Sequence, residues 1–125
     1  MIALLNKPLF EWVIENVCKN AVDAMKGKGL LRLTLFQESD KYVGIDITDT
    51  GMGIEKMKFK KVFTPGFSSR KRGWGLGLTL SKRIVEGYHG GKIFVAYCSS
   101  IVKRLFKIQA FCVGNGNLLA CNSIV

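Results

Sequence analysis

Two asparagines one helical turn apart, an aspartate feeding a glycine turn, and a second glycine run carry the chemistry this chain can offer. Asn16, Asn20 and Asp23 stand at i, i+4 and i+7, so a helix sets them on one stripe. An amide oxygen can ligate a hard cation, and its NH2 can donate to a phosphate. Magnesium takes few protein ligands and completes its octahedron with phosphates and waters, which suits one Asn in that position. Asp49 opens the run Asp49-Thr50-Gly51-Met52-Gly53-Ile54, whose glycines permit positive φ and close backbone approach. A carboxylate there can accept a hydrogen bond from an exocyclic amine such as adenine offers, and it rejects guanine, whose carbonyl would face it. The run Gly73-Trp74-Gly75-Leu76-Gly77-Leu78 enters a second helical stretch, where backbone N–H groups and the positive dipole end favour an anion. Arg70, Lys71 and Arg72 just before it can reach phosphates.

Each feature alone has a plainer reading. Surface asparagines are common, a turn Asp often bonds its own backbone, a glycine run can be a hinge, and a charge run is usually solvated. Their order within about eighty residues is what reads as a nucleotide site. The second glycine run is not a dinucleotide fingerprint, because it does not follow a strand and its spacing differs. Nor is it a Walker A loop, since it lacks Gly-Lys-Ser/Thr. His89 sits at a helix end, where a cation is favoured, and is read as a bystander to catalysis.

The elements that must position these groups can be read from periodicity. Residues 9–26 form an amphipathic helix, with Asn6 as its cap and Pro8 in the first turn. Phe10, Val13, Val17, Ala21 and Ala24 recur at helical spacing and face the core. Gly27 and Gly29 end it. Residues 30–36 and 42–48 read as two strands of a hairpin around a turn at 39–41. Residues 54–75 are long for a connection and read as a lid. Residues 76–88 return to helical periodicity, and 92–97 read as a strand. The outline is α+β, with helices on one face of a sheet.

Composition bounds the rest. The chain has 125 residues, enough for one compact domain, and 48% are apolar. No apolar run reaches the roughly eighteen residues a membrane span needs. The first residues lack the length and basic leader of a signal peptide. Cys18, Cys98, Cys112 and Cys121 are widely spaced with no Cys-x-x-Cys pair, which argues against zinc and a disulfide framework and for a reducing, cytoplasmic setting. The net charge of +10 is scattered over 56–61, 70–72 and 103–107 rather than along one helix. It reads as a solvated surface attracting a polyphosphate, not as a nucleic-acid interface.

Residues 9–97 resemble the catalytic ATP-binding domain of sensor histidine kinases, in the GHKL superfamily with its Bergerat fold. Glu15-Asn16-x-x-x-Asn20-Ala21 is similar to the N box, Asp49-x-Gly51-x-Gly53 to the G1 box, Val62-Phe63-Thr64-Pro65-Gly66-Phe67 to the F box, and Gly73-x-Gly75-Leu76-Gly77-Leu78 to the G2 box. Ser81-Lys82-Arg83-Ile84-Val85-Glu86 and His89-Gly90-Gly91 also fit the family pattern. The resemblance implies a two-layer α/β sandwich, with a mixed sheet of about five strands and helices on one face. It implies ATP and Mg2+ as cofactors. Asn20 would hold magnesium through the phosphates, Asn16 would contact phosphate or metal-bound water, and Asp49 would bind the adenine amine. Gly51, Gly53 and Ile54 would shape the adenine pocket, and Phe63 would anchor the lid. Gly73, Gly75, Leu76, Gly77 and Leu78, with Arg70, Lys71 and Asp23 nearby, would complete the nucleotide contacts.

In hydrolysing relatives a Glu one turn before the metal Asn activates water. Here that position is Asn16, and Glu15 lies about 100° around the helix. An amide is no general base, so the site should hold ATP without hydrolysing it quickly. That suits the kinase the resemblance implies, which delivers the γ-phosphoryl to a histidine elsewhere. That acceptor would sit on a dimerisation and histidine-phosphotransfer domain absent from this chain, with a response regulator downstream. This segment implies no membrane contact, although the full protein can still be anchored elsewhere. After Tyr97 the family pattern is lost. The domain reads as 1–97, with its boxes in 15–78, followed by a divergent tail over 98–125 with a closing strand at 105–113. The chain thus reads as a fragment, or as one with a shifted-frame or divergent tail. Two other readings remain: an ATP-gated conformational ATPase module of the chaperone, gyrase or mismatch-repair type, and a non-catalytic adaptor with the same fold.

Overall fold

A computed structural model of the chain describes residues 5–37, 42–51, 53–66, 77–96 and 104–111. Helix α1 (Lys7–Ala24) starts where its sequence supplies a cap: Asn6 is extended and its side chain accepts from Leu9 N at 3.1 Å. It ends two residues earlier than expected. Lys26 and Gly27 take positive φ (54° and 76°), and Gly27 N donates to Val22 O at 3.1 Å. Left-handed residues with such a return bond stop a helix by satisfying its last carbonyls. Phe10, Val13, Val17 and Ala21 are buried along one stripe.

Strands β1 (Leu31–Gln37) and β2 (Tyr42–Asp49) pair antiparallel, with Leu33 opposite Ile47. Two 3-10 turns, Lys56–Lys58 and Lys61–Phe63, occupy the described part of the expected lid. Helix α2 (Gly77–Lys82) continues as a π-helical turn over Arg83–Tyr88, where a regular helix to 88 was expected. The carbonyls there are met by other partners. Ile84 O lies 2.8 Å from His89 Nδ1, and Val85 O accepts from Gly91 N at 2.9 Å. Strands β3 (Lys92–Ala96) and β4 (Arg104–Phe111) complete the sheet, in the order β1-β2-β4-β3.

The α+β class with helices on one face holds. The sheet departs in detail from the expected mixed sheet of about five strands: among the described residues it has four, and every pairing is antiparallel. For the β1–β2 and β3–β4 pairings the physical reason is connection length. The links within β1–β2 and β3–β4 are far shorter than the dozen or so residues a parallel crossover needs. The strand expected at 105–113 is present as Arg104–Phe111, and it lies in the interior of the sheet, between β2 and β3. Its Phe106 and Ile108 are fully buried and stand beside Ile47 and Ile45 on one side and Val95 and Ile93 on the other. With α1, Val85, Val62 and Phe63 they form the core between sheet and helices. Burial of each large apolar side chain contributes roughly 1.5–3 kcal/mol. Leu33 and Leu35 share the register of that core layer but are exposed, because β1 is the outer strand of the described sheet.

Candidate functional site

The end of α1, the start of β1 and the end of β2 meet around Thr50 and Gly51, while the head of α2 packs on the middle of α1 at Asn16. Asp49 closes β2 and is 1% exposed. Burying a carboxylate is costly unless hydrogen bonds compensate it, and Asp49 Oδ1 accepts from Gly51 N at 2.9 Å.

Gly51 is there for space. A Cβ built on it would lie 2.7 Å from Ala24 O and 2.8 Å from Ala24 C, so the turn packs directly onto the last carbonyl of α1. Gly53 needs its glycine for backbone reasons, with φ of 77°. Thr50 ties the same corner: Leu30 N donates to its Oγ1 at 3.1 Å, next to Met25. Ile54 is half-buried against the core.

On α1, Asn16 and Asn20 are half-buried and Asp23 is exposed, as a stripe at the edge of the apolar face requires. Asn16 meets α2 directly. Its Nδ2 donates to Ser81 Oγ at 3.2 Å, and a Cβ on Gly77 would lie 2.5 Å from its Oδ1. Glu15 points elsewhere: it is exposed and pairs with Lys19 at 2.9 Å.

Phe63 is buried, with its ring edge-on to Phe106 (centroids 6.3 Å apart, planes at 89°) and Lys82 Nζ 5.4 Å from its centroid. Thr79 Oγ1 donates to Phe63 O at 2.8 Å, fastening the second 3-10 turn to α2. Leu78 packs half-buried against the core. Of the remaining expected site residues, Arg70, Lys71, Gly73, Gly75 and Leu76 lie outside the described residues. The structure therefore joins Asn16 to Gly77 and Asp49 to Gly51, and ties Phe63 to α2 through Thr79.

Two contributors carried little signal in the sequence. Ser81 is fully buried and bonds both Asn16 and Gly77. Its signal was a polar residue on the apolar face of α2, three positions after Leu78. His89 was expected at a helix end favouring a cation. Instead its Nε2 accepts from Asn6 N at 2.9 Å, so that nitrogen carries no proton, and Nδ1–H donates to Ile84 O. Its ring stands edge-on to Phe10, with centroids 5.6 Å apart. His89 thus clasps the start of α1 to the end of the second helical segment.

A shallow apolar hollow of about 330 Å3 lies along α1, lined by Leu5, Phe10 and Ile14 with Lys7, Glu11 and Glu15 at its rim. None of the expected site residues lines it. Among the described residues no cluster of three or more His, Cys, Asp or Glu could hold a metal, and no helix is long and apolar enough to cross a membrane.

A family model described as histidine kinase-, DNA gyrase B-, and HSP90-like ATPase matches residues 6–111. The signal transduction histidine-protein kinase AtoS of Escherichia coli strain K12 is 39% identical over 85 residues, which is 68% of this chain and 14% of AtoS. The chain thus spans a small part of that relative's length. A solved mycobacterial sensor histidine kinase, MprB, superposes with a TM-score of 0.77 at 27% identity, covering 86% of this chain and 72% of that one. The nucleotide-free catalytic domain of histidine kinase ThkA does so with a TM-score of 0.75 at 26% identity, covering 86% and 70% respectively.

Proposed function

The chain belongs to the histidine kinase-, DNA gyrase B- and HSP90-like ATPase family, and from that membership we propose that it binds Mg·ATP as the catalytic domain of a two-component sensor histidine kinase. The observation that carries this reading is Asp49, a carboxylate held at the buried end of β2 against the glycine turn. In this reading the Asp49 carboxylate accepts from the adenine amine. Gly51, Gly53 and Ile54 wall the base. Asn20, half-buried one turn beyond Asn16, is the residue to hold magnesium. The donor set fits: one amide oxygen with phosphates and waters is what that ion accepts. Held there, magnesium would supply positive charge to offset that of the phosphates.

The resemblance of the second glycine run assigns Arg70, Lys71, Gly73, Gly75, Leu76, Gly77 and Leu78 to the nucleotide contacts, and Phe63 to anchoring the lid. The γ-phosphoryl passes to a histidine on a dimerisation domain and from there to a response regulator, in the cytoplasm. Such transfer depends on positioning and charge stabilisation, so the domain alone is a poor kinase. Tethering to the acceptor raises its effective concentration to about millimolar.

The ATPase alternative needs a carboxylate facing the phosphates. Glu15 is solvent-exposed and engaged with Lys19, which speaks for the kinase branch. The test is titration calorimetry with a non-hydrolysable ATP analogue and magnesium, for the wild-type chain and for Asp49→Asn. That variant keeps the shape and removes the charge. A hydrogen bond to a charged group is worth about 1.5–3 kcal/mol, so affinity should fall roughly tenfold or more. Equal affinity in the two chains, or no binding by a folded wild type, refutes the assignment.

A further inference from the structure

Resting on the nucleotide-binding reading, we propose that Ser81 is a positioning residue that sets the orientation of the Asn16 amide and, through it, docks the head of α2 for nucleotide. Ser81 is fully buried and lies 65 residues from Asn16. Its Oγ donates to Gly77 O at 2.8 Å, the i−4 bond a helical serine makes when its side chain turns inward. A hydroxyl has one proton, and that bond uses it. Toward Asn16 the oxygen can only accept, so the NH2 end of the amide must face Ser81, at 3.2 Å. The choice between the two ends of the amide is thereby made by chemistry rather than by shape.

The same amide lies over Gly77. A Cβ there would sit 2.5 Å from Oδ1, 2.8 Å from Nδ2 and 3.0 Å from Cγ. Asn16, Gly77 and Ser81 thus form a three-point contact between α1 and the first turn of α2. With Nδ2 committed to Ser81, Oδ1 is the end of the amide presented at the head of α2, where the second glycine run arrives. Without the Ser81 hydroxyl the amide is free to turn over and present NH2 instead. This is a role in placement, since Ser81 reaches the nucleotide only through Asn16.

The experiment is a double-mutant cycle on the full 125-residue chain. Ser81→Ala, Asn16→Ala and the double variant are titrated with the ATP analogue and magnesium. Ser81→Cys, close in volume, serves as a second variant should the alanine fail to fold. Ser81→Ala should weaken binding about three- to tenfold, the size of one neutral hydrogen bond, and should add nothing in the Asn16→Ala background. A loss that is the same in both backgrounds, or no loss at all with only a lower melting temperature, overturns the proposal and leaves Ser81 a packing residue. The Asn16 side-chain NH2 resonances in the nucleotide-free chain give a separate readout. They should shift and exchange faster in Ser81→Ala or Ser81→Cys. Unchanged resonances overturn the proposal even if nucleotide binds. A wild type that binds no nucleotide while those resonances move sinks the ATP-site reading and, with it, the placement role, but leaves the Asn16–Ser81 bond established.

Discussion

Replacing Gly51 by alanine separates what packing demands of the first glycine turn from what a ligand demands. The new methyl would stand 2.7 Å from Ala24 O and 2.8 Å from Ala24 C, and 3.0 Å from Asp49 Oδ1. Contacts under 3.0 Å are essentially never seen at real Cβ atoms, so something must move by at least about 0.3 Å. Neither of the nearest atoms is the end of a flexible side chain. Both belong to the carbonyl at the end of α1, whose neighbours Ala21 and Val17 are fully buried. The turn must therefore lift off α1 or the helix end must shift, and overpacking of this kind costs about 1–3 kcal/mol. For a domain near 100 residues each kcal/mol lowers the melting temperature by about 4–8 °C, so a fall of roughly 5–20 °C is expected. The control is Gly27→Ala. That glycine has φ of 76° but nothing within 4 Å of its would-be Cβ, so only the left-handed penalty of about 1–2 kcal/mol applies. Calorimetric melts of the three chains, with analogue binding measured at a temperature where all are folded, give both readouts. The Gly51 variant should lose stability through contact and lose nucleotide affinity through displacement of Asp49. A melting temperature within a degree of wild type would refute the packing argument.

The remaining predictions concern single contacts. Glu15→Gln should change stability by less than about 0.5 kcal/mol, since an exposed i,i+4 pair is worth little, and should leave any slow ATP hydrolysis unchanged; a phosphate-release assay showing hydrolysis abolished would favour the ATPase branch. Burial raises the pKa of the Cys18 thiol above its ordinary value. The folded state thus resists ionisation that the unfolded chain undergoes, so stability is full below the ordinary thiol pKa and falls as pH rises through the raised one. Urea melts between neutral pH and pH 10 should show a steeper loss for wild type than for Cys18→Ala. His89→Ala removes the acceptor for Asn6 N and the donor to Ile84 O, and should destabilise by about 2–4 kcal/mol through two unmet backbone groups. Hydrogen exchange should then speed up at the first turn of α1, and unchanged protection there would contradict the clasp.

Local chemistry was legible in advance because its partners are near in sequence. The cap on Asn6, the buried stripe from Phe10 to Ala21, the stop at Gly27 and the β1–β2 hairpin all depend on neighbours within a turn or across one tight bend. The ordered boxes were legible for a related reason: residue types that approach phosphate, adenine and a metal are few, and their spacing follows the elements carrying them. Less could be read where a residue's duty is set by something distant. Beyond Tyr97 the family pattern is lost and a strand at 105–113 was legible, but not that Arg104–Phe111 would lie in the interior of the sheet, between two partners. Its place is decided by pairing with β2 and β3, which no local propensity encodes.

The same division runs through the site. Sequence alone determined that this chain carries an amide stripe, a carboxylate at a glycine turn and a second glycine run, and hence the family. Only the tertiary structure decided what several of those residues touch. Gly51 is small because Ala24 O, 27 residues earlier, lies against it. Asn16 is oriented by Ser81, 65 residues later, and His89 closes onto Asn6 across 83. Composition and periodicity register the type of a side chain and the face it occupies. Contacts between faces arise only once the sheet has paired and the helices have settled on it, and there van der Waals radii and the single proton of a hydroxyl make the choice.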